Sequence, residues 1–281
     1  MMMRKYLIKI LMFVILIGKL YSFDEGFIWS LKFNFNGSAT LPSISKSDLE
    51  KVAGKGDGSY MKGGVGYTMD GEAELGYLFG SERWFGMDRD RFSGMSFFGF
   101  IGVGSGYVGE IAGNTIEGVT VDMYINLNFA PVINFGVGTK AYFFNSKLAV
   151  GLAVGAKLVA DLSPAYLAYT GSEEINDQID KIGEIIVDDF MIKNMNPCMI
   201  SAKLMLEYNQ PVIDNRLEVV LGFYARFNVW SPKYITMPQS LLKLIKEGAN
   251  PNFDPQTPLK SFYLNSFDFG ISLGIAFRGS D

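Results

Sequence analysis

The chain has 281 residues, 48% of them hydrophobic, 14% aromatic and only 19% charged, with a net charge of −4. It contains no histidine, which excludes Ser–His–Asp and Cys–His chemistry and most zinc sites. Its single cysteine, Cys198, has no partner for an internal disulfide and reads as a small hydrophobe. Outside the N-terminus no apolar run reaches the roughly 20 residues of a membrane-crossing helix. Apolar content without long apolar runs belongs to alternating strands, and a chain of this size suits one domain.

Met1–Ser22 reads as a secretory signal. Arg4, Lys5 and Lys9 form a basic start, Ile10–Ile17 an apolar core, and Ser22 a small residue at a plausible cut. A retained anchor is the other reading, for which that core is short. Removing the segment, with Lys19, takes away four of 25 basic residues and none of the 29 acidic ones, so the net charge falls from −4 to −8. An acidic remainder argues against nucleic acid as a partner.

The first strand is expected over Phe27–Leu41. Phe27, Trp29, Leu31, Phe33 and Phe35 alternate with Ile28, Ser30, Lys32, Asn34 and Asn36. Ser43–Lys62 is polar, Gly-rich and without period, so a loop. Val65–Phe79 is a second strand, with Thr68, Asp70, Glu72 and Glu74 on one face. Three carboxylates on one strand face suit either a metal or catalytic site, or ionised groups paired with bases on facing strands, as burial would demand. Gly80–Phe92 reads as a turn in which Trp84 and Phe85 stand beside Asp88, Arg89, Asp90 and Arg91, a composition fit for a membrane–water boundary. Met95–Tyr107 is a third strand whose glycines hide its faces, and Gly109–Gly118 reads as a loop.

From Val119 to Phe143 every odd position but Thr139 is apolar, proline included. The period does not slip at Pro131, and turn residues are absent there, so one long strand with a local distortion is expected, odd positions outward. Asp122 and Lys140 then face inward. Asn145–Ser146 is a short turn. Leu148 to about Leu162 is the fifth strand, with Lys157 and Asp161 inward. Ser163–Pro197 is a long insertion in which Ile175, Ile179, Ile182, Ile186 and Phe190 recur at helical spacing. The sixth strand, Cys198–Tyr208, places Lys203 and Glu207 inward, and Pro211–Asn215 is a turn. The seventh, Leu217–Trp230, places Glu218, Tyr224 and Arg226 inward. Ser231–Lys260 is a second insertion with a short helix at Leu241–Ile245, where Leu241 and Leu244 are apolar. The last strand lies within Phe262–Phe277, where Phe267, Phe269, Ile271, Leu273, Ile275 and Phe277 alternate with Asp268, Gly270, Ser272, Gly274 and Ala276.

Eight strands joined alternately by short turns and long loops predict an all-β fold, an eight-stranded antiparallel up-and-down transmembrane β-barrel with short helices in extracellular loops. The expected domain is residues 23–281. The interior of such a barrel is just wide enough for side chains. Its lumen would hold Lys32, Lys140, Lys157, Lys203 and Arg226 against Asp70, Glu72, Glu74, Asp122, Asp161, Glu207, Glu218 and Asp268. An ionic plug follows more naturally from this set than an open channel.

Asp268, Gly270, Leu273 and Ile275, with Phe277 as terminal aromatic, resemble the C-terminal assembly signal of bacterial outer-membrane barrels. The stretch Tyr142–Gly151, with Leu127–Pro131 upstream, resembles a hairpin of OmpW-type barrels. By pattern the chain is similar to small outer-membrane barrels of the OmpW and OmpA kind, and its Lys, Ile and Asn content suits a spirochaetal member. That resemblance implies the bacterial outer membrane as location, and outer-membrane lipid and the barrel-assembly machinery as partners. It implies short turns in the periplasm, together with both termini, and the insertions outside. Three functions stay open. One is an anchor whose loop residues Ile175–Phe190 and Leu241–Leu244 meet an extracellular partner. The second is an OmpW-like passage for small or apolar solutes. The third is a histidine-free enzyme working through the acidic face of the second strand. No catalytic residue, cofactor or metal is assigned, and the apolar loop faces could equally pack on each other as a lid.

Overall fold

A computed structural model describes residues 25–41, 60–116, 119–160, 162–169, 197–213, 217–230, 234–235, 259–260 and 265–278. For 60–62, 110–116, 119–127, 162–169, 213, 234–235 and 259–260 it describes the backbone alone. The elements are β1 (Gly26–Thr40), β2 (Tyr60–Lys62), β3 (Val65–Gly80), α1 (Ser81–Phe85), β4 (Phe92–Ile116), β5 (Val119–Phe143), β6 (Leu148–Val159), β7 (Leu162–Tyr169), β8 (Cys198–Ile213), β9 (Leu217–Trp230), β10 (Tyr234–Ile235), β11 (Leu259–Lys260) and β12 (Ser266–Arg278).

Antiparallel pairing runs from β1 through β3, β4, β5, β6, β8 and β9 to β12, and β12 pairs back onto β1 from Ile28↔Arg278 to Thr40↔Ser266. The wall is therefore a closed eight-stranded barrel. Closure leaves it no unpaired edge, the condition for a sheet in lipid. One end, here the turn end, carries α1 and its following turn, the tight turn at 144–147 and the connection at 214–216. The start of β1 and the finish of β12 lie there too. β7 and β9 both finish at the opposite, loop end.

Alternation decides which side chains face where. On β1, Leu31, Phe33 and Phe35 are exposed outward, while Lys32, Asn34 and Asn36 are buried in the lumen. Facing strands repeat the pattern: Leu273 and Ile271 are outward with Ser272 and Asp268 inward, and Leu204 and Leu206 outward with Lys203 and Glu207 inward. On β4, Phe97, Ile101 and Val103 face out and Ser96, Phe98 and Val108 face in. Gly138 makes room for that inward aromatic, since a Cβ there would stand 2.5 Å from Phe98 Cζ.

Several expectations are corrected. Residues 109–116 are not a loop but the far part of β4, and β5 is equally long, so this hairpin outruns its neighbours at the loop end. There β2 pairs with β4 at Ile111–Gly113, and β7 pairs with β5 at Met123–Phe129. Tyr60–Lys62, expected within a loop, is thus a short strand. The expected fifth strand ends at Val159 as β6, and the first residues of the expected insertion Ser163–Pro197 are not insertion but strand β7. The strand before the 214–216 connection runs on to Ile213, and Pro211 sits at a register shift inside it rather than in a turn. The expected turn at Gly80–Phe92 contains α1, whose C-cap is Gly86 in the left-handed conformation at φ 62.

The largest correction concerns Pro131. β5 is one continuous strand, as expected, but its faces do slip. Gly104 pairs with Val132 and Gly106 with Phe129, so Ala130 and Pro131 together stand opposite Ser105. Two residues opposing one is a β-bulge, which reverses the alternation beyond it. Phe135 and Val137 are outward, as odd positions were expected to be, whereas Phe129, also odd, is buried inward beside Val132. The bulge lies two residues from Tyr107, at the loop-end rim of the outward apolar surface. Past it, the odd-numbered Phe129 serves the lumen face.

Candidate functional site: an ion-paired lumen

Asp70, Glu72 and Glu74 on β3 point into the barrel with Lys32 (β1), Lys140 (β5), Lys157 (β6), Lys203 and Glu207 (β8), Glu218 and Arg226 (β9) and Asp268 (β12), all buried. Each comes from the inward parity of its strand, so closure of the sheet alone brings the charges of seven strands to one axis. Residue pairing sets their heights. Glu72 is opposite Lys32, Arg226 opposite Asp268, and Lys203 opposite Arg226.

Toward the turn end, four charges from four strands form a closed ring. Lys32 Nζ lies 2.7 Å from Glu74 Oε1 and 2.5 Å from Glu207 Oε1. Lys140 Nζ lies 2.6 Å from Glu74 Oε2 and 3.0 Å from Glu207 Oε2. Each lysine thus bridges both glutamates, and Ser30 Oγ donates to Glu74 Oε2 at 2.8 Å. Lys140 Nζ also stands 4.7 Å over the Phe98 ring. Above the ring, Lys203 Nζ meets Glu72 Oε1 at 2.8 Å and lies 4.7 Å over Tyr224.

Arg226 joins this pair to the next level more loosely, 3.8 Å from Asp70 Oδ2 and 3.9 Å from Glu72 Oε2. Asn34 Nδ2 donates to Asp70 Oδ1 at 2.7 Å, and Asn228 Nδ2 to Asp268 Oδ2 at 2.6 Å. Lys157 faces the charges of Asp268, Asp70 and Arg226. Toward the loop end the polar column gives way to buried Val108, Phe129, Val132, Val159, Met199 and Trp230, with the Phe129 and Trp230 rings 6.3 Å apart.

Ionised groups this deep are tolerable only when paired and hydrogen-bonded. Asp122 and Asp161, placed in the lumen from sequence, fall outside the residues whose side chains are described. Ile175, Ile179, Ile182, Ile186, Phe190, Leu241 and Leu244 likewise lie outside the described residues, as does Met1–Ser22. Of the closing-strand residues, Asp268 is a lumen acid, Leu273 and Ile275 face outward, and Phe277 stacks on Trp29 across the β12–β1 seam with centroids 4.6 Å apart.

Sequence reasoning missed Arg278. Its Nε lies 2.9 Å from Glu218 Oε2, and its guanidinium covers Tyr142 at 4.4 Å. The signal was available, because Arg278 continues the even, inward parity of β12. With it, the described buried acids Asp70, Glu72, Glu74, Glu207, Glu218 and Asp268 are matched one for one by bases. A cavity of about 20 Å³, room for about one water molecule, lies at the turn end between Arg278, Tyr142 and Asn209 and the Lys32, Glu74 and Glu207 of the ring.

Outside, the wall is apolar between two aromatic bands. At the turn end Phe27 meets Tyr77 at 5.6 Å and Tyr77 meets Phe79 at 4.9 Å. At the loop end Tyr67 meets Phe35 at 6.4 Å and Tyr107 at 4.7 Å, and Phe267 meets Phe269 at 4.7 Å. Tyr67 and Tyr77 belong to one strand. Ten residues at about 3.3 Å each, tilted by about 40°, separate the bands by about 25 Å along the axis.

No protein-family model matches the chain, and no curated protein matches it. Among solved structures it is similar to the outer membrane protein OprG from Pseudomonas aeruginosa, at 8% identity and a TM-score of 0.30 over 90% of this chain and 96% of that one. It is similar to Neisserial surface protein A at 9% identity and a TM-score of 0.29, over 90% and 99% of the two chains. The NanC porin aligns at 8% identity and a TM-score of 0.21, over 89% and 99%. The closure of the barrel stands on its own strand pairing.

Proposed function

We propose that this chain is an integral outer-membrane barrel whose lumen is shut by its ion network, and that it acts as an anchor for loop-end segments that meet an extracellular partner. The observation that carries the membrane reading is the apolar outer wall bounded by two aromatic bands about 25 Å apart, the height of the apolar band of outer-membrane barrels. What supports closure is the Lys32–Glu74–Lys140–Glu207 ring. It ties four strands together across the lumen at hydrogen-bond distance. Once the interior is a plug, what remains available is the long insertions, and loops on a rigid scaffold carry most binding residues.

The experiment replaces Gly171–Asn196 with a Gly/Ser linker. Expected is a barrel that still assembles, still shows heat-modifiable migration, and no longer holds cells to immobilised extracellular proteins. Unchanged adhesion by a folded variant would remove the anchor reading.

A second reading, passage of small solutes, would start from the water-sized turn-end cavity, which abuts the ring from one side. It requires the ring to part. An enzyme is not proposed: the acidic face of β3 is engaged by Lys32, Lys140, Lys203 and Arg226.

A further inference from the structure

The connection between β3 and β4 places apolar side chains outside both the lumen and the alternating wall. Trp84, Phe85 and Met87 are 54%, 42% and 53% exposed. They are not an isolated patch. The Trp84 ring is edge-on to Phe79 at 5.2 Å, the Phe85 ring edge-on to Phe92 at 5.4 Å, and Phe92 meets Phe143 at 5.7 Å. Ring by ring, the outward aromatic band of the turn end continues onto α1.

The polar edge of this connection is organised in the other direction. Trp84 Nε1 donates to Glu25 Oε2 at 2.8 Å, and Arg83, which also pairs with Glu25, lies 5.9 Å over the indole. Asn145 Nδ2 donates to Asp90 Oδ1 at 2.8 Å, tying the neighbouring turn to the same edge. The described charges here are Arg83, Arg89, Arg91 and Lys147 against Glu25, Glu82, Asp88 and Asp90, four of each sign.

We propose that α1 and Gly86–Met87 form a foot lodged in the interfacial layer of the leaflet at the turn end, with zwitterionic phospholipid as its partner. The inference rests on the membrane reading above and goes beyond it, since a barrel needs no such foot to span. An indole with a bound N–H and an exposed ring has the apolar body and polar tip that the interface favours. Left in water, three exposed large apolar side chains joined to a larger apolar wall would be a liability. Balanced charge distinguishes the partner, because an anionic surface is recognised by a surplus of lysine and arginine.

The protein is refolded into phosphatidylcholine vesicles with acyl chains brominated near the headgroup. Trp84 emission is taken as the difference between wild type and Trp84→Phe. Expected is a blue-shifted component that loses most of its intensity to the brominated chains, resists aqueous iodide, and does not change when anionic lipid is added. A red-shifted component quenched by iodide and untouched by bromine would overturn the foot, provided the Trp29 component, obtained likewise with Trp29→Phe, is quenched by bromine. If bromine quenches neither, the membrane reading itself fails and the foot with it. Met87→Cys in a Cys198→Ser background, carrying a polarity-sensitive fluorophore, repeats the reading without removing an aromatic. A water-like spectrum there would also overturn it.

Discussion

Lys32 shows what a single lumen residue does here. Its ammonium satisfies two glutamates from different strands, Glu74 and Glu207, and those share a second lysine. Removing one charge from such a buried set leaves the others uncompensated, at a cost of about 3–5 kcal/mol. Lys32→Met and Glu207→Gln should each destabilise the folded barrel by about that much, read as a lowered urea midpoint in vesicles. The double variant should lose clearly less than the sum, since the two positions share one interaction. Additive losses would show that the ring is not a unit. Phe98 makes a different point. It fills the lumen only because Gly138 faces it, so Gly138→Val should overpack the core and cost about 1–3 kcal/mol. Which residues point inward was legible on β1, β3, β8, β9 and β12 from alternation alone. Who pairs with whom was not: Lys32 reaches Glu207 through sheet closure, 175 residues away along the chain, and no spacing encodes that. Arg278 was legible by parity, one residue past the expected end of the last strand.

At the scale of elements, β5 carries the lesson. Its odd positions are apolar from end to end, yet the structure turns Phe129 inward on one side of the Ala130–Pro131 bulge and Phe135 and Val137 outward on the other. Composition could not show this, because lipid and a packed interior select the same residue types. On the membrane reading proposed here, the physical switch is the environment of the wall, with lipid below the rim and none above it. Val137→Arg should therefore cost about 2–4 kcal/mol through the lipid face. Phe129→Ala should cost about 3–5 kcal/mol through a lumen cavity, although both positions are odd. Cysteines at these positions separate the two causes. Position 137 should be screened from aqueous reagents by lipid and open to a lipid-soluble maleimide, while position 129 should be closed to both until unfolding. Equal lipid-phase reactivity at the two sites would restore the unbroken alternation. β4 was illegible for another reason. Its glycines leave few side chains to read, and its faces are fixed only by Phe98 and Val108 on one side and Phe97, Ile101 and Val103 on the other.

For the whole molecule, three layers follow one another along the axis: a water-sized turn-end cavity, a charge-balanced column and an apolar layer around Trp230. The wall around them is built for hydrocarbon. On the proposed reading, a barrel with that interior holds its shape without conducting, and its connections become the places where function can differ. Closure of the sheet was legible from eight alternating segments. The protruding β4–β5 hairpin, flanked by β2 and β7, was not, since Gly109–Gly118 carries the residues of a loop. The most direct measurement of the central claim is planar-bilayer current across the purified, folded wild-type barrel. A closed ion network predicts a flat baseline in symmetric salt, with discrete steps arising in Glu207→Gln. Stable open-channel steps in the wild type would contradict it.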